Sequence, residues 1–244
     1  MGAVLEFSVI FTVSILPQIA YSFFIREIRD VLGKLSNRWK LTSSLISRLG
    51  SIILALYVAA IQPAGLLSIG LNLHPSELPK VIIVGGLATG YLSLIFILSK
   101  LRSKKSREER ESLQRQIFVS LGYSTYKTNS DRIFSLINLW ASVIAEELIY
   151  RGYLILLLGS RTGTYIPWIL LSITFSVFVH LYQGFNWKIV VAHIFLASVF
   201  IVVILITNNI ITALLPHLVY DTIWMSKRWV SAPAQDAYQP ESIA

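Results

Sequence analysis

The sequence contains no cysteine and few charged residues. Without cysteine, the 244-residue chain can form no disulfide, thiolate zinc site or iron–sulfur cluster, and it has no cysteine nucleophile. Charged residues make up only 14% of the chain, whereas soluble domains carry roughly 25%. Hydrophobic residues make up 55%, which is incompatible with a disordered chain. The composition therefore excludes both a soluble globular domain and a disordered segment.

The apolar residues are gathered into long runs. A transmembrane helix needs about 20 mostly apolar residues, and about seven segments meet this requirement. We therefore predict an all-α, polytopic transmembrane helical bundle. The predicted spans are 4–24, 47–68, 79–99, 133–158, 165–183, 189–207 and 208–226. Pro63 and Gly65 predict a kink or an early end in the second span, and Asn208 and Asn209 predict the last turn.

The net charge of +8 is concentrated in two segments between the predicted spans. The first holds six cations from Arg26 to Arg48, and the second holds seven from Lys100 to Arg115. The positive-inside rule places both in the cytoplasm, so the N-terminus is outside and, with seven spans, the C-terminus is cytoplasmic. We expect these cations to contact anionic lipid headgroups and not nucleic acid. The expected location is a prokaryotic cell membrane.

The chain divides into three predicted regions. Residues 1–116 hold the first transmembrane helices with their basic cytoplasmic loops. Residues 117–228 form a helical core that contains the intramembrane polar residues, and 229–244 form a flexible tail. Within the core, residues 117–132 are too polar to span a membrane, and we predict an interfacial elbow there.

Ionisable residues interrupt the fourth predicted span. Glu146, Glu147 and Arg151 lie near its middle, where a charge costs about 2.5–3.5 kcal/mol to insert. Glu147 and Arg151 are four positions apart, so they share a helical face and can pair. Glu146 is turned about 100° away and lies over Tyr150. A salt bridge that only locks packing explains the pair but not Glu146, so the cluster indicates a functional site.

Two later spans each contain a histidine that can act with Glu146. His180 ends the fifth span, near the predicted cytoplasmic side. His217 and Asp221 lie four positions apart in the seventh span, so Asp221 can orient or charge the imidazole. Each histidine alone also fits a packing role, and His193 in the sixth span is interpreted as structural. Together they form a hydrolytic set, in which one imidazole helps deprotonate a water and the other helps stabilise an oxyanion.

The order Glu146-Glu147-x-x-x-Arg151, His180 and His217-x-x-x-Asp221 resembles the CPBP family. These are the CAAX-protease and bacteriocin-processing (Abi) intramembrane proteases, related to the Rce1 prenyl-protein endoprotease. The resemblance covers about residues 130–225. It implies that Glu146 is the general base on the catalytic water, assisted by His180. It also implies an oxyanion site made of His217 and Asp221, and a supporting clamp made of Glu147 and Arg151.

Two positions depart from the family pattern. Ser176 stands where the family usually has Phe, four residues before the histidine, and Asp221 stands where it commonly has Asn. An ionised Asp cannot donate a hydrogen bond to an oxyanion. Either Asp221 is protonated, or it holds His217 as the donor.

The resemblance implies an intramembrane glutamic endopeptidase that needs no cofactor and cuts a membrane-associated protein or peptide near its terminus. The substrate can be a prenylated protein, a leader peptide, a signalling peptide or a sorted C-terminal tail. A zinc-dependent version is the alternative, with Glu146, His180 and His217 as ligands of an open site. The departures at Ser176 and Asp221 also permit a non-enzymatic membrane scaffold or regulator. Buried ionisable groups permit a proton-coupled transporter as well, although the spans contain no matching pair of broken helices.

Overall fold

The computed structural model describes residues 3–17, 37–100, 129–180 and 187–231. All regular structure in these residues is helical, which confirms the all-α prediction for them. We number the helices α1 to α7 in chain order. Helix α1 is Ala3–Ile10 with a π-helical continuation over Phe11–Ile15; α2 is Asn37–Ala60; α3 is Leu78–Lys100; α4 is Asn129–Glu146, continued by a π-helix over Glu147–Leu158 and a last turn over Gly159–Thr162; α5 is Ile166–Phe178; α6 is Trp187–Thr207; and α7 is Ile211–Ser231.

Four helical segments in the described ranges are long and apolar enough to cross a membrane. They are Thr42–Ala60 in α2, Pro75–Ile95 in α3 and the 3₁₀-helix Pro75–Glu77 before it, Asn129–Thr162 in α4, and Val190–Thr207 in α6. Two shorter apolar helices are Leu5–Ile15 and Ile166–Phe178. The 13 residues of α5 rise about 20 Å, against a hydrocarbon thickness of about 30 Å. The chain is therefore an integral membrane protein, and the seven crossings stay a prediction.

Several helix ends differ from the predicted boundaries. Helix α2 begins well before the predicted second span and ends at Ala60, because Pro63 cannot continue a helix. The predicted elbow is wrong in its last residues, since α4 already begins at Asn129, where Asp131 favours a helix start. Helix α7 continues to Ser231, past the predicted start of the tail. The rest of the elbow, the rest of the tail and most of both basic segments lie outside the described residues.

The turn predicted at Asn208 and Asn209 is confirmed. Asn208 has a φ of 50°, a conformation that Asn tolerates better than most residues. The Asn209 side chain accepts a hydrogen bond from the Ile211 N–H at 3.0 Å and donates one to the Asn72 carbonyl at 2.7 Å. The turn therefore joins α6 to α7 and ties both to the segment between α2 and α3.

Helix α4 is the centre of the bundle. Its π-helical residues are all buried, and α2, α5 and the short 3₁₀-helix Gly65–Ile69 pack against them. A Cβ at Gly152 would lie 3.1 Å from the Ile69 Cβ and 3.3 Å from the Ile210 Cδ1, so a larger residue would force these neighbours to shift. Because neighbours surround this part of α4, its polar side chains face protein and not lipid.

An ion pair between Glu6 and Arg161 marks one end of the bundle. The Glu6 carboxylate accepts a hydrogen bond from Arg161 Nη1 at 2.6 Å, and Arg161 also donates to Gln62 Oε1. Glu6 is only 2% exposed. The contact brings the start of α1, the end of α2 and the end of α4 together. Helices α2 and α4 therefore run parallel, and both begin at the opposite end, which we call the Asn129 end.

Candidate active site

A buried carboxylate and an imidazole join α4 to α7. His217 Nδ1 lies 2.7 Å from Glu147 Oε1, and Arg151 Nη1 lies 3.3 Å from the same oxygen. Glu147 is 0% exposed and Arg151 is 2% exposed. The expected pairing of Glu147 with Arg151 is present, whereas the contact of Glu147 with His217 was not predicted. One carboxylate therefore holds a cation on its own helix and an imidazole on another helix.

The other nitrogen of His217 faces Asp221. The distance from His217 Nε2 to Asp221 Oδ2 is 3.6 Å, which is longer than a hydrogen bond. The Phe200 ring from α6 stacks on the imidazole, with centroids 4.6 Å apart and an angle of 23° between the planes. The guanidinium of Arg151 lies 5.6 Å from the centroid of the same ring. His217 is thus hydrogen-bonded to Glu147 through Nδ1, faces the Asp221 carboxylate with Nε2 and carries an aromatic ring on its face.

Glu146 ends the α-helical part of α4 and belongs to a separate group of contacts. It is 8% exposed, and its Oε1 accepts a hydrogen bond from Ser142 Oγ at 3.1 Å. The carboxylate lies within electrostatic range of His180 and of His217. The fold therefore brings Glu146 near both imidazoles that the sequence places on other spans.

His180 lies in the turn directly after α5. Its Nδ1 is 2.7 Å from the Ser176 carbonyl oxygen, and a carbonyl can only accept. Nδ1 therefore carries a proton, and in the neutral ring Nε2 is the acceptor. The His193 ring from α6 packs on this imidazole, with centroids 4.1 Å apart and planes at 35°. The backbone of Ser176 and the ring of His193 together fix the orientation of His180.

The π-helical stretch of α4 begins at Glu147, within this site. Such stretches are rare, usually span a single turn and occur frequently at functional sites. Several polar atoms of α4 and α5 are buried without a hydrogen-bond partner in the part of the chain that the structure describes. They are Oε2 of Glu147, Nε of Arg151 and the hydroxyls of Ser172 and Ser176. Buried atoms of this kind cost roughly 1–3 kcal/mol each, so they favour the entry of water or of polar substrate atoms.

The predicted zinc ligands do not form a ligand set. Among the residues that the structure describes, no three His, Cys, Asp or Glu side chains are grouped so that they can hold a metal ion. Glu146, His180 and His217 interact through their charges but do not make such a group. Metal dependence therefore stays a prediction, with the zinc-dependent version as the alternative.

Sequence reasoning overlooked four neighbours of the site. Ser142 was detectable, because it precedes Glu146 by four residues on a helix. Phe200 was not singled out, and His193 was interpreted as structural without a partner, since their contacts form only when α6 packs against its neighbours. Arg48 was assigned to a cytoplasmic loop, but it lies inside α2 and interacts electrostatically with Glu146.

The part of the chain from α4 to α7 also matches a known family. Residues 128–223 match the Rce1-like family. The family is described as type II CAAX prenyl endopeptidase Rce1-like. The match confirms the resemblance over this segment, leaves α1 to α3 outside it and supports a membrane protease of the CAAX type. No curated protein and no solved structure matches the chain significantly.

Proposed function

We propose that this chain is an intramembrane glutamic endopeptidase that hydrolyses a peptide bond near the end of a membrane-associated protein or peptide. The observation that carries the proposal is the environment of Glu146. This buried carboxylate interacts with the imidazoles of His180 and His217, and all three lie within the Rce1-like segment. The family description favours a substrate with a C-terminal CAAX sequence, in which the cysteine is prenylated.

Glu146 and His180 activate the attacking water in this proposal. The His180 proton on Nδ1 stays with the Ser176 carbonyl, so Nε2 of the neutral ring is the nitrogen that accepts a hydrogen bond from the water. Glu146 removes a proton from that water, and the oxygen forms a bond to the carbonyl carbon of the substrate. General base catalysis of this kind contributes about 10²–10⁴-fold to a rate.

His217 stabilises the oxyanion that the attack creates. Its Nδ1 proton is held by Glu147, so donation to the oxyanion comes from Nε2. An imidazole that donates from both nitrogens is doubly protonated, and carboxylates at both nitrogens stabilise that form. Asp221 then acts through His217 and not on the substrate, which makes it a positioning residue. This role removes the need for a protonated Asp221.

The tetrahedral intermediate collapses with the proton that Glu146 took from water. The C–N bond breaks, the proton passes to the leaving amine, and Glu146 returns to its carboxylate form. Glu147 and Arg151 form the clamp that holds His217. The negative charges of Glu147 and Asp221 balance the positive charges of Arg151 and doubly protonated His217. This balance lowers the free-energy cost of keeping the four groups within a membrane.

The proposed topology has seven crossings, with the N-terminus outside and the C-terminus in the cytoplasm of a prokaryotic cell. The Glu6–Arg161 contact then lies at the outer face. The Asn129 end faces the cytoplasm, where the two basic segments meet anionic headgroups. Glu146 lies 17 residues after Asn129, which places the site about 25 Å along α4 from that end.

The experiment is a cleavage assay in proteoliposomes. The probe is a farnesylated peptide that ends in a CAAX sequence, and mass spectrometry identifies the products. We expect the wild type to release a short C-terminal fragment and Glu146→Gln/His180→Ala to release none. Glu77→Gln, which removes a carboxylate far from the site, is the matched control and should cleave normally. A probe left intact by wild type would favour the scaffold, and flux of the intact peptide would favour a transporter.

A further inference from the structure

Helix α2 presents polar side chains to α4 on one face. Ser44 Oγ donates a hydrogen bond to Asn138 Oδ1 on α4 at 3.2 Å, and Ser51 is only 2% exposed. Arg48 lies four residues after Ser44 and three before Ser51, and residues with this spacing share a helical face. Because α2 packs along α4, Arg48 lies on the face directed at α4.

The face of α4 that is directed at α2 is polar as well, and Glu146, the proposed general base, lies on it. Asn138, Ser142 and Glu146 follow one another at intervals of four residues, and Ser142 bonds to Glu146. The two helices run parallel, and Ser44 meets Asn138, so Arg48 lies level with Ser142. That position is one turn, about 5.4 Å along the axis, from Glu146. The electrostatic interactions of Arg48 with Glu146 and His180 agree with this position.

Within the described residues, Arg48 is not ion-paired with a carboxylate. Ion pairs in the described ranges join Arg151 to Glu147 and Arg161 to Glu6, and none in those ranges includes Arg48. The side chain is half-buried, so it is both accessible and partly desolvated. A guanidinium within a membrane-spanning helix is costly and marks a functional position. Arg48 also lies outside the segment that matches the Rce1-like family.

We propose that Arg48 binds the C-terminal carboxylate of the substrate. This inference rests on the proposed function and adds what the site recognises: a free carboxylate close to the bond that is cut. A CAAX sequence has three residues after its cysteine, and three extended residues span about 10–11 Å. A guanidinium one turn from Glu146 lies within that reach, and its planar donors match a carboxylate in bidentate geometry.

The test compares two farnesylated CAAX peptides that differ only in a terminal carboxylate or a terminal amide. For the wild type, we expect kcat/KM to be about 10- to 100-fold lower with the amide, because a charge-assisted hydrogen bond is lost. Arg48→Gln should lower kcat/KM for the carboxylate peptide by a similar factor, mainly through KM. Arg48→Gln should leave kcat/KM for the amide peptide nearly unchanged. Arg48→Lys should recover part of the loss in kcat/KM for the carboxylate peptide.

Arg132→Gln is the matched control. Arg132 lies on α4, 14 residues before Glu146, which is about 21 Å away along the axis. Arg132→Gln should therefore change kcat/KM only slightly, and by the same factor for both peptides. Dissociation constants of the two peptides, measured by fluorescence anisotropy in the Glu146→Gln background, give the same comparison without turnover. Tighter binding of the carboxylate peptide that depends on Arg48 is the expected result.

Two outcomes would overturn the inference. Equal losses with both peptides in Arg48→Gln would mean that Arg48 acts only on the charge of Glu146. Equal cleavage and binding of both peptides by the wild type would mean that the terminal carboxylate is not recognised, with the proposed function intact. Failure of the wild type to cleave either peptide bears on the proposed function alone, because the binding comparison still decides the role of Arg48.

Discussion

Removing the Glu147 carboxylate should destabilise the protein strongly, because it leaves Arg151 buried without its counter-charge. Glu147 is fully buried and contacts both Arg151 and His217. Breaking a buried pair from one side costs about 3–5 kcal/mol. For a chain of this size, 1 kcal/mol shifts Tm by about 2–4 °C. Glu147→Leu should therefore lower Tm in detergent by about 6–20 °C, as measured by differential scanning fluorimetry.

The double variant Glu147→Leu/Arg151→Met separates charge from packing. Replacing a whole buried pair by apolar residues is often neutral or stabilising, so its Tm should lie near that of the wild type or above it. Glu77→Gln, at a partly exposed carboxylate, should leave Tm unchanged. If Glu147→Leu melts like the wild type, or if the double variant melts as low as the single one, the argument from charge burial is wrong.

The same double variant also separates stability from activity. Its fold is restored, but His217 has lost the partner of its Nδ1 nitrogen. We expect cleavage of the farnesylated peptide to stay at least about 10²-fold below the wild-type rate. Full activity in a stable double variant would show that the clamp has no catalytic role.

Three further predictions concern the neighbours of the site. Ser176→Ala should keep the cleavage rate within about twofold of the wild-type rate, because His180 bonds to the Ser176 backbone carbonyl. His180→Ala should lower the rate by about 10²-fold or more. Similar losses in the two variants would contradict the proposed role of His180. Gly152→Val should lower stability by about 1–3 kcal/mol, because Ile69 lies 3.1 Å from the added Cβ; an unchanged Tm would contradict the packing. Prolonged chelation should leave peptide cleavage intact, and a loss that added zinc restores would support the zinc alternative.

Most of the helices could be predicted from the sequence, because long apolar runs leave few alternatives to a helix in lipid. The turn at Asn208 was readable from local chemistry. Helix ends were less predictable: α2 starts among basic residues that resembled a loop, and α5 is shorter than its apolar run. Helix ends of this kind depend on the surroundings of the helix as well as on local sequence, so the sequence pattern alone did not predict them.

Two contacts of the site could be predicted from the spacing of residues within a single helix. The contacts of Glu147 with Arg151 and of His217 with Asp221 both join residues four positions apart. The contact of Glu147 with His217 could not be predicted, because it depends on how α7 docks against α4. The π-helix from Glu147 onward could not be predicted either, because the sequence analysis assumed the 3.6 residues per turn of an α-helix.

The most direct test of the proposed mechanism measures turnover and substrate binding separately in Glu146→Gln. The amide keeps the shape of the side chain and removes its basicity. We expect kcat for the farnesylated peptide to fall by at least about 10²-fold, while its dissociation constant stays within about twofold of the wild-type value. A Glu146→Gln protein that inserts normally and cleaves at the wild-type rate would contradict the assignment of this carboxylate as the catalytic base.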